Sequence, residues 1–394
     1  MMSSLARLLW GVLLVICFLR IGLDLANPYF GTGKPFFTDF TSFWTAARSA
    51  LAGDVVLPYQ LDLFFDAQVE QFGRGKAAFF YPPTWLMMMM PFGLLPYEAA
   101  AVVFEGITLF ACVFVLAKLA HSRSVALAML VFPGLLFCIL HGQNSMLNVA
   151  LLGGMLVLLE QKRQILAGVV IGLMAYKPHL GVLVPIAFLA AGLWLPFVMA
   201  AVTAVSVALL SVLVLGFDAW VAFLEQAPLA QDWLLQQHIP VSKFASFFAL
   251  LMSFKVPIWI CVGVQIVLSS AAIGAVAWAW SRKGLGIAIK GAVLVSAATL
   301  MTPFILDYDL ALLAIPLVLL YRLGREEGFL PLELEACVFA SVLMLYSRGW
   351  GYGVDVTPIA FSSLLFFSLA IRRAVQMNSE VIGSAKAAPG HLSS

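Results

Sequence analysis

The residues able to do chemistry in this chain are few, since only 11% of its 394 residues are charged. They gather in short polar blocks between apolar runs: Thr38-Asp39-Phe40, Tyr81-Pro82-Pro83, His141-Gly142-Gln143-Asn144, Lys177-Pro178-His179, Thr302-Pro303 through Asp309, and Arg348-Gly349-Trp350. Asp39 lies among phenylalanines, and a carboxylate at a low-dielectric edge suits general-base work. An ordinary helix cap is the competing reading of the same residue. Lys177, His179 and Arg348 are cations at helix edges, where cations either serve a function or snorkel as anchors. Phosphate oxygens would be their natural partners, Arg through two bonds and Lys as a point charge.

His141, Gln143 and Asn144 form a polar hairpin. Side-chain amides both donate and accept, which suits hydroxyl-rich ligands; a helix turn capped by Asn144 or Ser145 is the alternative. Asp307-Tyr308-Asp309 looks like the D-x-D pattern that holds a metal with a sugar diphosphate. Side chains at i and i+2 of a helix do not face each other, however, and Asp307 is well placed as a cap. No phosphate loop, nucleophile elbow, zinc-protease or dinucleotide pattern occurs, so neither a metal nor a cofactor is expected. The five cysteines are isolated in apolar runs and read as small core residues.

What must position these blocks is a membrane domain. The chain is 63% hydrophobic with mean hydropathy +1.02, well beyond the roughly 45–50% apolar content of soluble domains. The near-balanced charge of +2 implies no nucleic-acid partner. A bilayer core needs about 20 apolar residues per helix, and cutting at polar punctuation gives about 12 spans. They fall near Leu8–Leu23, Ala99–Leu119, Ser124–Leu140, Ser145–Leu159, Ile165–Tyr176, Leu180–Leu193, Pro196–Gly216, Pro257–Trp280, Ile287–Met301, Leu310–Leu323, Leu334–Tyr346 and Pro358–Ile371.

In that layout Arg7, Lys118, Arg123, Lys162, Arg163, Arg282, Lys283, Arg322, Arg325, Arg372 and Arg373 share one side. The positive-inside rule makes that side cytoplasmic, with both termini, and puts the polar blocks outside. The expectation is one all-α integral membrane domain over 1–377, followed by a disordered cytoplasmic tail over 378–394.

Two apolar segments, Thr84–Leu95 and Phe244–Phe254, are too short to span and read as re-entrant or interfacial. The first outer loop, about 27–81, is read as two amphipathic helices. One is capped by Asp39 and ended by Gly53, the other capped by Asp62 and ended by Gly73. Phe40, Phe43, Trp44 and Ala47 form a stripe suited to the membrane surface. The second outer segment, Phe217 to Lys243, offers Trp220, Phe223 and Trp233 as interface anchors.

The order of motifs carries a resemblance. Thr38-Asp39-Phe40 is followed by Gly53 and Pro58-Tyr59, then Tyr81-Pro82-Pro83 with Pro91. Gly142-Gln143-Asn144, Tyr176-Lys177-Pro178 and Thr302-Pro303 through Tyr308-Asp309 come next. The series resembles glycosyltransferase family 87, bacterial polytopic membrane enzymes of the GT-C superfamily, over roughly Arg7 to Leu320. The resemblance implies a GT-C-like fold and a polyprenyl-phosphate-sugar donor, typically the mannose form. It also implies a lipid-linked or glycan acceptor, and transfer at the outer face of the bacterial inner membrane. The first outer-loop aspartate, here Asp39, would be the base. Lys177, His179 and Arg348 would then hold the donor phosphate. Tyr81, His141, Gln143, Asn144, Asp307, Tyr308 and Asp309 would contact sugar or acceptor.

Competing readings are a transporter or flippase of lipid-linked sugars, an outer-face glycan ligase or polymerase, and a purely structural membrane protein. Inverted repeats would favour the first, and a large late loop the second.

Overall fold

The computed structural model describes residues 11, 12, 15, 37–73, 77–235, 243–345 and 358–387. Arg348 and most of the expected first span, Leu8–Leu23, lie outside the described residues. The helices, in chain order, are α1 (Phe40–Leu51), α2 (Leu61–Phe72), α3 (Pro83–Gly93), α4 (Tyr97–Ala120), α5 (Arg123–Ala128), α6 (Pro133–His141), α7 (Ser145–Glu160), α8 (Gln164–Gly172) and α9 (Pro178–Gly181). They continue with α10 (Leu183–Ala191), α11 (Trp194–Leu215), α12 (Asp218–Leu235), α13 (Phe247–Ser253), α14 (Ile258–Ser281), α15 (Ile287–Ala298), α16 (Ala314–Glu327), α17 (Glu333–Met344) and α18 (Ala360–Ala387).

Among the described residues, three helices are long and apolar enough to cross a membrane unaided: α4, α11 and α14. Helices α5 and α6 reach that criterion only together, and they are bent against each other by 63°. The sequence read this stretch as one span. Pro133 explains the break, because the residue before a proline is driven out of the helical region, and Phe132 is extended at φ −69, ψ 124. The expected span from Leu310 likewise begins earlier, as a 3-10 helix over Asp307–Leu313, and continues as α16. Helix α18 runs on to Ala387, so helical order reaches into the segment read as a disordered tail.

The first polar loop differs from the sequence reading in two ways. Phe40, Phe43 and Ala47 are buried in the core, not laid on the membrane surface. Phe43 meets Tyr81 and Trp85 edge-on at 5.2 Å, and Phe40 meets Phe104 at 5.4 Å. The apolar stripe finds protein before it finds lipid, because α3 and α4 offer an aromatic face. At α2 the N-cap position is Gln60, with Asp62 inside the first turn; the two glycine stops are as expected, Gly53 at φ +94 and Gly73 at φ +69. Helix α12 closes over this loop, Trp233 reaching Phe65 and Phe80 and Phe223 reaching Tyr59.

Small residues set the helix crossings. Gly153 brings α7 against Val115 and Leu119 of α4, while Gly168 and Gly172, one turn apart on α8, face the carbonyls of Pro196 and Ala200 on α11. Such small-xxx-small spacing lets membrane helices approach backbone to backbone.

Helices α4 and α7 each have one end at the polar blocks and the other in an ion-pair network. At the far end Arg322 donates to Glu160, Glu326 and the Leu119 carbonyl. Arg373 pairs with Glu333 at 2.7 Å and with Glu327 at 3.3 Å. These helix ends, whose basic residues the sequence reading puts on one side, therefore carry the ion pairs.

A Cβ on Gly168 or Gly172 would lie 2.5 or 2.6 Å from a backbone oxygen of α11. Gly168→Ala and Gly172→Ala are each expected to destabilise the fold by about 1–3 kcal/mol. Thermal unfolding in detergent should show a lowered Tm, whereas Gly263→Ala, facing open space on α14, should leave it unchanged.

Candidate active site

Asp39 occupies the N-cap position of α1, yet its carboxylate makes no capping hydrogen bond. It turns instead toward the hairpin at 141–144. Gln143 donates from Nε2 to Asp39 Oδ2 at 3.1 Å, and Thr38 donates from Oγ1 to Oδ1 at 3.4 Å. The Asp39 backbone N–H donates to the His141 carbonyl at 2.9 Å, and the Thr38 hydroxyl also faces His141 Nδ1 at 3.4 Å. Glycine is required at the hairpin's turn. Gly142 sits at φ +69, and a Cβ there would come within 2.6 Å of Phe37 and 2.8 Å of Phe40.

Tyr81 sets the orientation of Gln143. Its phenol donates to Gln143 Oε1 at 3.2 Å, which leaves the amide nitrogen for Asp39. Burial pushes this phenol up to about 12, against an opposing pull from Lys177, so it stays a donor at working pH. The result is a directed chain, Tyr81 to Gln143 to Asp39. Asp39 itself remains half-buried.

A second cluster adjoins the first. Lys177 sits where Pro178 interrupts the helix, with backbone φ −138, ψ 62. Its ammonium lies 2.6 Å from Asp309 Oδ1 and 3.2 Å from Asn144 Oδ1. The rings of Tyr81 and Tyr308 flank it at 5.8 and 5.4 Å, a cation–π setting. Asp309 also accepts from Ser145 Oγ at 2.7 Å and from the Leu306 N–H at 3.3 Å. Close approach of α6 through Gly134, whose Cβ would lie 2.5 Å from the Ala311 nitrogen, fixes the 3-10 helix that carries Asp309.

The structure thus brings together Asp39, Tyr81, His141, Gln143, Asn144, Lys177, Tyr308 and Asp309. Tyr308 stands 6.5 Å from His141, ring to ring. Asp307 is buried and accepts the Tyr308 N–H at 2.8 Å; the two carboxylates of the D-x-D pattern go to different partners. His179 lies exposed, two residues past Lys177. Asn144 does not use its side chain as a cap; it serves Lys177 instead. The sequence reading passed over Ser145 as a partner of Asp309. It also passed over Asn148, which accepts from Tyr176 at 2.6 Å; an amide inside the apolar run of α7 was the available signal. Among the described residues, no group of three His, Cys, Asp or Glu is arranged to hold a metal.

Chemically the site sets a half-buried carboxylate, which Gln143 and Thr38 contact, beside a cation balanced by its own buried acid. The first can take a proton and the second can meet negative charge. Removing one member of a buried pair strands the other, at a cost of about 3–5 kcal/mol. Lys177→Met alone should therefore lower the Tm sharply. Adding Asp309→Asn to it should recover part of the loss, and strictly additive losses in the double-mutant cycle would contradict the pairing.

The model of glycosyltransferase family 87 matches residues 79–303. That stretch holds Tyr81, His141, Gln143, Asn144, Lys177 and His179, and Asp39 is joined to it through Gln143. No curated protein and no solved structure matches the chain. Since the match takes in more than half of the sequence and five of the eight residues that converge at the site, this chain belongs to glycosyltransferase family 87.

Proposed function

We propose that this membrane glycosyltransferase moves a sugar, mannose being the expected one, from a polyprenyl phosphate to a hydroxyl of a lipid-linked or cell-envelope glycan. The reaction is placed at the outer face of the bacterial inner membrane, since the basic loops belong to the opposite, cytoplasmic side. The observation that supports the reading best is the Asp39 carboxylate. It stands at a helix start without capping it, and is held by Gln143 beside His141.

In the reaction Asp39 takes the proton of the acceptor hydroxyl. That oxygen bonds to the anomeric carbon, while the bond from this carbon to the phosphate oxygen breaks and leaves its electron pair on the phosphate. One displacement inverts the anomeric centre. Charge grows on the departing phosphate, and a nearby fixed cation stabilises it most where water is scarce. Lys177 is the cation assigned to this task. Its ion pair with Asp309 implies that the phosphate shares or replaces that carboxylate on binding. His179 and Arg348 are the further cations of the same reading. Tyr81, His141, Gln143, Asn144 and Tyr308 are the proposed sugar or acceptor contacts. Asp307 and Asp309 act through the Tyr308 backbone and through Lys177.

The test is transfer of labelled mannose from polyprenyl-phosphate-mannose into the lipid fraction by the purified protein in vesicles. Asp39→Asn is expected to lower transfer by about 10²–10⁴-fold, the range of general-base catalysis, with donor binding retained. Full transfer by a folded Asp39→Asn protein would return this residue to a structural role.

A further inference from the structure

The end of the molecule away from the site contains an apolar cavity of about 160 Å³. It lies in a cleft between α5 and α17, with α16 as its floor. Leu317 and Val318 form that floor, and Val125, Met129 and Val338 the walls. Ser124 and Tyr321 stand at its polar rim. Exposed apolar side chains on both flanks, Leu127 on α5 and Phe339 on α17, continue the cleft outward into the surface that a bilayer would cover.

Two cations adjoin the rim residues along the helices. Arg123 immediately precedes Ser124. Arg325 lies one turn beyond Tyr321, on the same face of α16. Both side chains are exposed, and neither has a hydrogen-bond or ion-pair partner among the described residues. The neighbouring cations are committed: Arg322 to Glu160 and Glu326, and Arg373 to Glu327 and Glu333. The carboxylates closest along α16 are thus already neutralised, while Arg123 and Arg325 keep their charge for something else.

We propose that this cleft binds an anionic phospholipid of the leaflet on the basic side, with an acyl chain in the cavity and the phosphate between Arg123 and Arg325. An apolar slot with cations adjoining its polar end is complementary to such a lipid, and basic pockets between membrane helices on that side bind anionic headgroups. The lipid wedges α5 against α17 at the far ends of the helices that carry the site. The assignment depends on the membrane setting and not on the identity of the transferred sugar.

The experiment uses the purified full-length protein in neutral detergent, with Tm followed against added phosphatidylglycerol, phosphatidylcholine and polyprenyl phosphate. Phosphatidylglycerol is expected to raise the Tm saturably, and phosphatidylcholine to do so only weakly. Arg123→Gln and Arg325→Gln should each weaken the phosphatidylglycerol effect by about fivefold in apparent affinity, and Val338→Trp should abolish it by filling the cavity. Should Val338→Trp fail to fold, mass spectrometry of the native protein from membranes supplies the second readout, a retained phospholipid lost in the arginine variants. Equal stabilisation by both phospholipids that survives Arg123→Gln and Arg325→Gln would overturn the proposal. So would stabilisation by polyprenyl phosphate alone, which would make the cleft a tail site for the donor.

Discussion

Everything at the site is organised around one buried ion pair, Lys177 with Asp309 at 2.6 Å. An uncompensated charge in such surroundings costs several kcal/mol, so each partner demands the other and both demand hydrogen bonds. Ser145 and the Leu306 N–H complete Asp309, and Asn144 and two aromatic rings complete Lys177. Meeting those demands draws three chain breaks to one place: the left-handed turn at Gly142, the interruption at Lys177-Pro178, and the extended residue Leu306 that starts the 3-10 helix. Irregular backbone at membrane depth is tolerated where protein surrounds it or a cavity opens, and here those breaks are what deliver polar side chains to the site.

The pair also bears on the proposed role of Asp39 as base. Gln143 and Thr38 donate to its carboxylate, while the Lys177 ammonium is balanced by Asp309. A carboxylate so placed is oriented by these contacts. At the opposite end the logic reverses. Arg322 and Arg373 are tied down by glutamates and carbonyls, and they fasten the ends of α4, α7, α16, α17 and α18. The candidate site at one end therefore stands on a bundle clamped at the other.

Much of this was legible in the sequence because polar residues in a strongly apolar chain are expensive and few. The blocks around Asp39, Tyr81, Gln143, Lys177 and Asp309 stand out singly for that reason, each read toward a ligand. What the sequence lacked was any signal for their pairing with one another. Lys177 and Asp309 are 132 residues apart, and charge opposition alone does not select a partner. The stripe of Phe40, Phe43 and Ala47 had the right period, but periodicity does not say whether lipid or protein covers a face. The proline at 133 was visible; its consequence, a 63° bend, depends on what α6 packs against. Asp62 reads as a cap from residue type, whereas after the turn at Leu57–Tyr59 the cap is Gln60 and the helix starts two residues earlier.

The central claim is a single displacement at the anomeric carbon with Asp39 as base, and the configuration of the product tests it most directly. A polyprenyl-phosphate sugar of known anomeric configuration would be supplied, and the new glycosidic bond read by the one-bond carbon–proton coupling in NMR. The account predicts inversion, complete and in every turnover. Retention would require a covalent glycosyl-enzyme intermediate or two successive displacements, for which one base does not suffice, and would contradict it.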